Sequence, residues 1–434
     1  MSGLPASLRS LRNRNYRLFV MGQSLSLIGT WTQMTALNWL VYRLTGQAAM
    51  LGLMTFCSLI PMFVLAPVGG LLADRVPGSR ILVVTQGVAM VLALVLALLT
   101  LTHQARLWHL FTCALLLGAS NAFDSPARQV FVGKAVPRAD LMNAVALNSS
   151  MMTTASIAGP ALAGILVASI GEGWCFLLNG ASYVPVLAGL LAMRFPPEAR
   201  AAIPSRPPSQ LGRLLEGFAM VRRTPPIRSL LLLLGLSILL GIPHSVLMPL
   251  FADQVFHGTS RTLGLLMSAT GAGALAGAVT LACRPHAGGL GRGVAAASVG
   301  FGLALAGFAF SRSLLCAIPL LMLAGFAFMV QIAATNTLIQ MMVPGPFRGR
   351  VMAIYAMLFG AMTPLGGLAS GLLAHRLGAP LTVALGGAGC VACGCVFILN
   401  YGAWRDGARG MLLAAGSPDN EKEAPLRNGG FLRP

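Results

Sequence analysis

Hydrophobic residues fall in long runs with few charged interruptions, starting near residues 18, 50, 80, 107, 142 and 174 and, past a polar stretch, near 229, 262, 293, 314, 351 and 379. Runs of about 20 apolar residues are what an α-helix needs to cross the hydrocarbon of a bilayer, whereas a transmembrane barrel shows alternating segments of about ten. The pattern predicts an all-α membrane protein with twelve transmembrane helices, six and six. The intervening stretch, 194–228, holds seven Pro and seven Arg and reads as a linker. Within it Leu211, Leu214, Leu215 and Phe218 recur at helical spacing after Ser209, which predicts a short helix lying on the membrane surface. The expected organisation is a six-helix half at 1–193, a cytoplasmic linker with an amphipathic helix at 194–228, a second six-helix half at 229–401 and a disordered cytoplasmic tail at 402–434.

Composition supports lipid as the solvent. Of 434 residues 56% are hydrophobic and 9% charged, against about a quarter charged in soluble domains. The net charge of +19 raises nucleic acid as a partner, but all basic residues except Lys134 and Lys422 are Arg, in short clusters between apolar runs. They form neither a continuous basic face nor the interleaved aromatics of a nucleic-acid groove, so no nucleic-acid partner is expected. With the N-terminus inside, 25 of the 30 basic residues fall on the cytoplasmic side, leaving Arg43, Arg106, Arg261, Arg312 and Arg376 outside. Such asymmetry orients a bacterial inner-membrane protein with both termini cytoplasmic. The basic start, Arg9 to Arg17, leads into a segment too long and too polar for a signal-peptide core, so the first helix is expected to be retained.

Candidate chemistry is sparse. The eight cysteines sit in or beside apolar runs, and Cys390-x-x-Cys393 has no second pair or His at ligand spacing, so packing is the expected role. Neither a P-loop nor a metal-ligand cluster is present in the sequence, which argues against an enzyme or a nucleotide-driven pump and predicts no cofactor. An internal register of 207 residues pairs Gly118 with Gly325, Val136-Pro137 with Val343-Pro344, Gly159 with Gly366, Gly164 with Gly371 and Gly171 with Gly378, as transporter repeats do.

After the second helix, Asp74, Arg75 and Arg80 close a Gly70-to-Arg80 loop. An acid there can pair with a nearby Arg and face a helix N-terminus as a latch, or mark an ordinary helix stop. Asp124 lies within the fourth apolar run, one helical turn before Arg128. It can carry a coupling proton or complete a charge relay with these arginines; its place in the cytoplasmic third favours the relay. Asp253, at the outer end of the seventh helix, reads as a rim charge before a proton entry point. Gly159, Pro160 and Gly164 in helix 5 combine close approach with a freed carbonyl, a candidate pivot. Gln23, Ser26, Thr30 and Gln33 form a polar stripe on helix 1; Gln23, Thr30 and Gln33, with Asn121, Asn148, Asn179, His244, Gln331 and Asn336, are candidates for a substrate cavity or for interhelical hydrogen bonds. Trp31 and Trp39 fit a cavity lining or a packing position equally.

Several stretches resemble the major facilitator superfamily. The Gly70-to-Arg80 loop is similar to its loop between helices 2 and 3, with one extra residue before the second glycine, and Leu281 stands where the second half would repeat Asp74. Gly159-Pro160-Ala161-Leu162-Ala163-Gly164 resembles its antiporter motif, with Ala163 in place of a glycine. Arg14-Asn15-Tyr16-Arg17-Leu18-Phe19, Gly29-Thr30-Trp31-Thr32-Gln33, Asp124-Ser125-Pro126-Ala127-Arg128 and Glu216-Gly217-Phe218 point to the siderophore-export and drug and macrolide efflux branch. The resemblance implies two six-helix halves around a central cavity, a helix-4 acid meeting the loop arginine, and alternating access. It further implies a monomer that exports an amphipathic small organic molecule, siderophore or drug-like, by proton antiport. Uptake and a transporter-like sensor are the alternatives.

Overall fold

The computed structural model describes residues 6–193, 210–283 and 289–415, without the side chains of Asp74, Lys134, Arg138, Leu211, Arg213, Leu214 and a few others. The first part of the expected linker, including Ser209, and the end of the expected tail lie outside the described residues. A 3-10 turn at Ala6–Arg12 precedes α1 (Arg14–Thr45), α2 (Ala48–Arg75), α3 (Gly78–Leu101), α4 (Leu107–Ala135), α5 (Leu141–Ile170) and α6 (Glu172–Ala192). Then come α7 (Gln210–Arg223), α8 (Pro225–Gly241), α9 (Pro243–Val246), α10 (Met248–Leu250), a π-helical turn at Phe251–Val255, and α11 (Ser260–Ala282). The chain continues with α12 (Leu290–Phe310), α13 (Leu314–Met342), α14 (Gly345–Leu377), α15 (Ala379–Leu399) and α16 (Tyr401–Ala415).

Ten helical stretches among the described residues are long and apolar enough to cross a membrane. Of the twelve runs in the sequence, α1 and α4 fall short of that standard: α1 carries its polar stripe, and α4 ends in Asp124, Arg128 and Lys134. The faces explain how such helices pack. On α3, Leu82, Ala89, Ala93 and Leu96 are buried while Val84, Val91 and Leu98, seven residues apart, are exposed. A stripe of that kind suits lipid and would be an aggregation liability in water. Between helices, contact depends on small residues, because lipid supplies no hydrophobic drive for helix association. A Cβ at Gly118 of α4 would overlap the Ser58 carbonyl of α2, and one at Gly325 of α13 would overlap the Thr270 carbonyl of α11.

The helices cluster into two compact units, one of Met1–Ile203 with Met248–Ser268, the other of Pro204–Leu247 with Ala269–Pro434. The first is cored by Tyr16, Phe19, Ile81, Leu82, Phe131 and Leu190. The second is cored by Ile227, Leu230, Leu234, Leu338, Val351 and Trp404. This division departs from the expected boundaries at 193 and 229, because Met248–Ser268 packs into the first unit and the linker helix into the second. Ser260 of α11 donates to the Gly164 carbonyl of α5 at 3.2 Å, and Ser268 donates to the Ile157 carbonyl at 3.0 Å.

The 207-residue register has a geometric counterpart inside each unit. Gly171 joins α5 to α6 at φ 88°, and Gly378 joins α14 to α15 at φ 82°, backbone that a Cβ disfavours. Gly159 lies against Ile28 and Trp31 of α1, and Gly366 against Leu239 of α8. The expectation of disorder from 402 is corrected by α16. Trp404 and Ala408 are buried one turn apart, and the Trp404 indole N–H donates to the Pro226 carbonyl at 3.1 Å. That burial stabilises a helix whose glycines at 402, 407 and 410 would fray it in isolation.

Candidate functional site

The first unit holds two buried polar clusters. Asp124, 6% exposed, points from α4 toward α3, where Oδ1 accepts from Thr85 Oγ1 at 2.9 Å and Gln86 Nε2 at 2.8 Å. Its Oδ2 accepts from Arg128 Nε at 3.1 Å and Nη2 at 2.5 Å. Four donors on one carboxylate satisfy the requirement that a buried charge be paired and hydrogen-bonded. Helical periodicity supplies Arg128; Thr85 and Gln86 come from the packing of α3 on α4, where Gly78 admits the Ala127 carbonyl at 3.1 Å from a hypothetical Cβ. Arg75 and Arg80 are exposed, and among the described residues neither is paired with Asp124. Asp74 lies in the last turn of α2, but its side chain lies outside the described residues.

The second cluster joins α1 to α6. Asn179 Nδ2 donates to Gln33 Oε1 at 2.8 Å, Ser182 Oγ donates to the Asn179 carbonyl at 2.7 Å, and Thr30 meets Tyr183 hydroxyl to hydroxyl at 3.2 Å. Gly29 makes room: a Cβ there would stand 2.9 Å from Ser182 Oγ. Gln23, Gln33 and Asn179 are all buried. Thr30 and Asn148 are half-buried and Asn121 is exposed. The polar positions thus divide into an interhelical seam and a smaller accessible set.

Around the candidate pivot, α5 is gripped from two sides. Thr32 Oγ1 of α1 donates to the Gly159 carbonyl at 3.1 Å. Across α5, a Cβ at Gly164 would stand 3.0 Å from Gly264 Cα, and one at Gly264 2.7 Å from the Pro160 carbonyl. Pro160 has no N–H, so the helix forgoes one backbone bond there. Nearer the end of α1, Tyr42 donates to Asp253 Oδ2 at 2.6 Å and Arg43 pairs with Glu172 at 3.1 Å; Trp39, Tyr42, Arg43, Gly46 and Asp253 line a cavity.

In the second unit, Gln331 of α13 is fully buried and donates through Nε2 to Ser237 Oγ of α8 at 2.8 Å. His244 Nδ1 lies 2.6 Å from the Gly241 carbonyl. A carbonyl only accepts, so Nδ1 carries the proton. The ring caps a carbonyl freed where α8 breaks, since Ser245 N–H bonds Ile242 instead. Gln340 Nε2 donates to the half-buried Asn336. Two relationships went unread in the sequence although the register encoded them. Gln331 and Thr335 occupy the positions of Asp124 and Arg128, and Leu240 with Gly386 those of Gln33 with Asn179. In the second pairing Gly386 sits directly on the Leu240 backbone.

Long lipid-facing helices, twice repeated and joined by small residues and buried polar pairs, define a multi-pass membrane transporter of the major facilitator type. A family model described as transmembrane secretion effector (MFS_3) matches residues 5–404, and the chain belongs to that family of transporters, which are not enzymes. It is 26% identical to the staphyloferrin A transporter of Staphylococcus aureus over 88% of this chain and 95% of that one. It is 27% identical to the enterobactin exporter of Citrobacter koseri, covering 89% and 90%. With macrolide efflux protein A of Streptococcus pyogenes it shares 24% identity over 60% of this chain and 64% of that protein. Among solved structures, nucleoside transporter NupG aligns with a TM-score of 0.72 at 13% identity, over 89% of this chain and 99% of that one. A POT family transporter in complex with a thioalcohol-conjugated peptide aligns with a TM-score of 0.72 at 12% identity, over 90% and 96%. These two likenesses concern the fold alone.

Proposed function

We propose that this protein is a secondary active exporter of an amphipathic small organic molecule, siderophore or drug-like, working by alternating access with proton antiport. The observation that carries the reading is similarity along nine tenths of the chain to a siderophore exporter. In this reading α1 and α4 span the bilayer with the other ten stretches, their polar faces turned to protein, which makes twelve spans with both termini cytoplasmic. Thr30, Asn121, Asn148 and Asn336, which keep some access, are the substrate-facing candidates; Gln23, Gln33, Asn179, His244 and Gln331 hold helices together. Asp124 and Arg128 act as a charge relay with Asp74, Arg75 and Arg80, and Gly159, Pro160 and Gly164 as the pivot. Both carboxylate oxygens of Asp124 are taken up by Thr85, Gln86 and Arg128, an arrangement that suits a relay between side chains better than a proton carrier open to water.

The test is uptake of siderophores and lipophilic drugs into inside-out reconstituted vesicles, with and without a pH gradient. Accumulation of at least one compound that collapses with the gradient is expected. Accumulation only in right-side-out vesicles would replace export by uptake, and no movement across the panel would favour a sensor. Asp124→Asn is expected to abolish both gradient-driven exchange and counterflow; loss of the first alone would make Asp124 the proton carrier.

A further inference from the structure

The linker helix α7 has two opposed faces. Gly217 packs on α14, where a Cβ would stand 3.2 Å from Arg350 Cβ and 3.3 Å from Ile354 Cδ1, Glu216 pairs with Arg350 at 2.6 Å, and Val221 is buried in the core of the second unit. At 3.6 residues per turn, Leu215, Phe218, Ala219 and Arg222 share the opposite arc, about 100° wide. Leu215 is 59% and Phe218 44% exposed, and Arg222 and Arg223 are exposed beside them. Arg228 reaches back to the Arg222 carbonyl at 3.4 Å, which brings its guanidinium to the end of α7 that carries Arg222 and Arg223. Glu216, the one acid of α7, is already spent on Arg350.

Position in the chain fixes what meets this face. The candidate spans on either side start at Pro225 and Phe347, and α7 is tied to both by Thr224 and by Arg350. It therefore lies at the level where helices enter the bilayer. Fourteen residues make about 21 Å, short of the roughly 30 Å of hydrocarbon, so α7 lies along the boundary and does not cross it. An apolar arc edged by arginine is the pattern of an interfacial helix.

We infer that the outer face of α7 is a binding surface for anionic phospholipid, with Leu215 and Phe218 in the acyl boundary and Arg222, Arg223 and Arg228 on headgroup phosphates. The Glu216–Arg350 pair then couples lipid composition to α14. This inference does not depend on what is transported or in which direction.

The test uses the full-length protein in nanodiscs of phosphatidylcholine alone or with one third phosphatidylglycerol, with nitroxide at Leu215→Cys or Phe218→Cys in a background lacking the eight native cysteines. Greater accessibility of both labels to oxygen than to a water-soluble nickel chelate is expected, increasing with phosphatidylglycerol. In parallel, native mass spectrometry of the wild-type protein is expected to show preferential retention of phosphatidylglycerol. Arg222→Gln with Arg223→Gln should lower that preference at least threefold and leave phosphatidylcholine retention unchanged. Labels open to the nickel chelate in both lipids would overturn the inference, as would equal retention of the two lipids by the wild type. Displacement of phosphatidylglycerol by millimolar inorganic phosphate would show a free-anion site in place of a lipid surface.

Discussion

Asp124 and Gln331 stand at the same point of two repeats, 207 residues apart, and differ by one charge. Each is buried and each donates to or accepts from a neighbouring helix, but the first is neutralised by Arg128 one turn along, where the second has Thr335. The second unit shows how the same hole is filled without ions. Breaking a buried pair strands a charge at a cost of about 3–5 kcal/mol, whereas replacing both partners can be nearly neutral.

Asp124→Asn should therefore lower the thermal midpoint of the detergent-purified protein markedly, and Asp124→Gln with Arg128→Thr should recover most of the loss. Size-exclusion fluorescence after heating reads this directly. If the charges form a relay, the stable double variant stays inactive in vesicles; full transport would reduce the pair to a structural role.

Removing either member of the Gln33–Asn179 bond leaves the other buried without its partner. Gln33→Ala or Asn179→Ala should each cost about 1–3 kcal/mol. The double variant should cost less than the two added, with a coupling of about 0.5–3 kcal/mol in a double-mutant cycle. Strict additivity would mean that the bond does not hold α1 to α6.

Gly159→Ala should be destabilising by about 1–3 kcal/mol, because the new methyl meets the Trp31 side chain and must push α1 away. Gly133→Ala, on an open face of α4 with nothing within 4 Å of a Cβ, should be neutral or stabilising by about 0.5–1 kcal/mol. Thermal unfolding of the two variants side by side separates close packing from helix propensity.

His244→Leu should lose about 1–3 kcal/mol by orphaning the Gly241 carbonyl, and His244→Asn, whose amide can still donate, should keep most of the stability. If the ring serves only as the Nδ1–H donor to Gly241, the asparagine variant keeps that donor and should show the wild-type pH profile of transport. A shifted profile would assign His244 a titrating role.

What the sequence made legible was periodic or local. The apolar runs, Asp124 with Arg128 one turn away, and the polar stripe of α1 all follow from helix geometry. Thr85 and Gln86 stood unremarked because their meeting with Asp124 depends on how α3 packs on α4, about 40 residues away in the chain. Gln33 and Asn179 are both visible as polar residues in apolar runs that fit a substrate cavity or an interhelical hydrogen bond, but which residue partners which depends on the packing of α1 on α6. The helix α16 escaped notice because its apolar signal is short, Trp404, Ala408 and Met411, and is interrupted by three glycines. Its stability comes from the groove beside Pro226, which local pattern does not encode.

The seat of Trp404 also decides where this chain tolerates alteration. Its ring covers Gly291 and its indole occupies the Pro226 carbonyl, so a truncation ahead of 404 would open the foot of the second unit and expose it to proteases. A reporter or affinity handle appended after the chain's last residue leaves this seat intact.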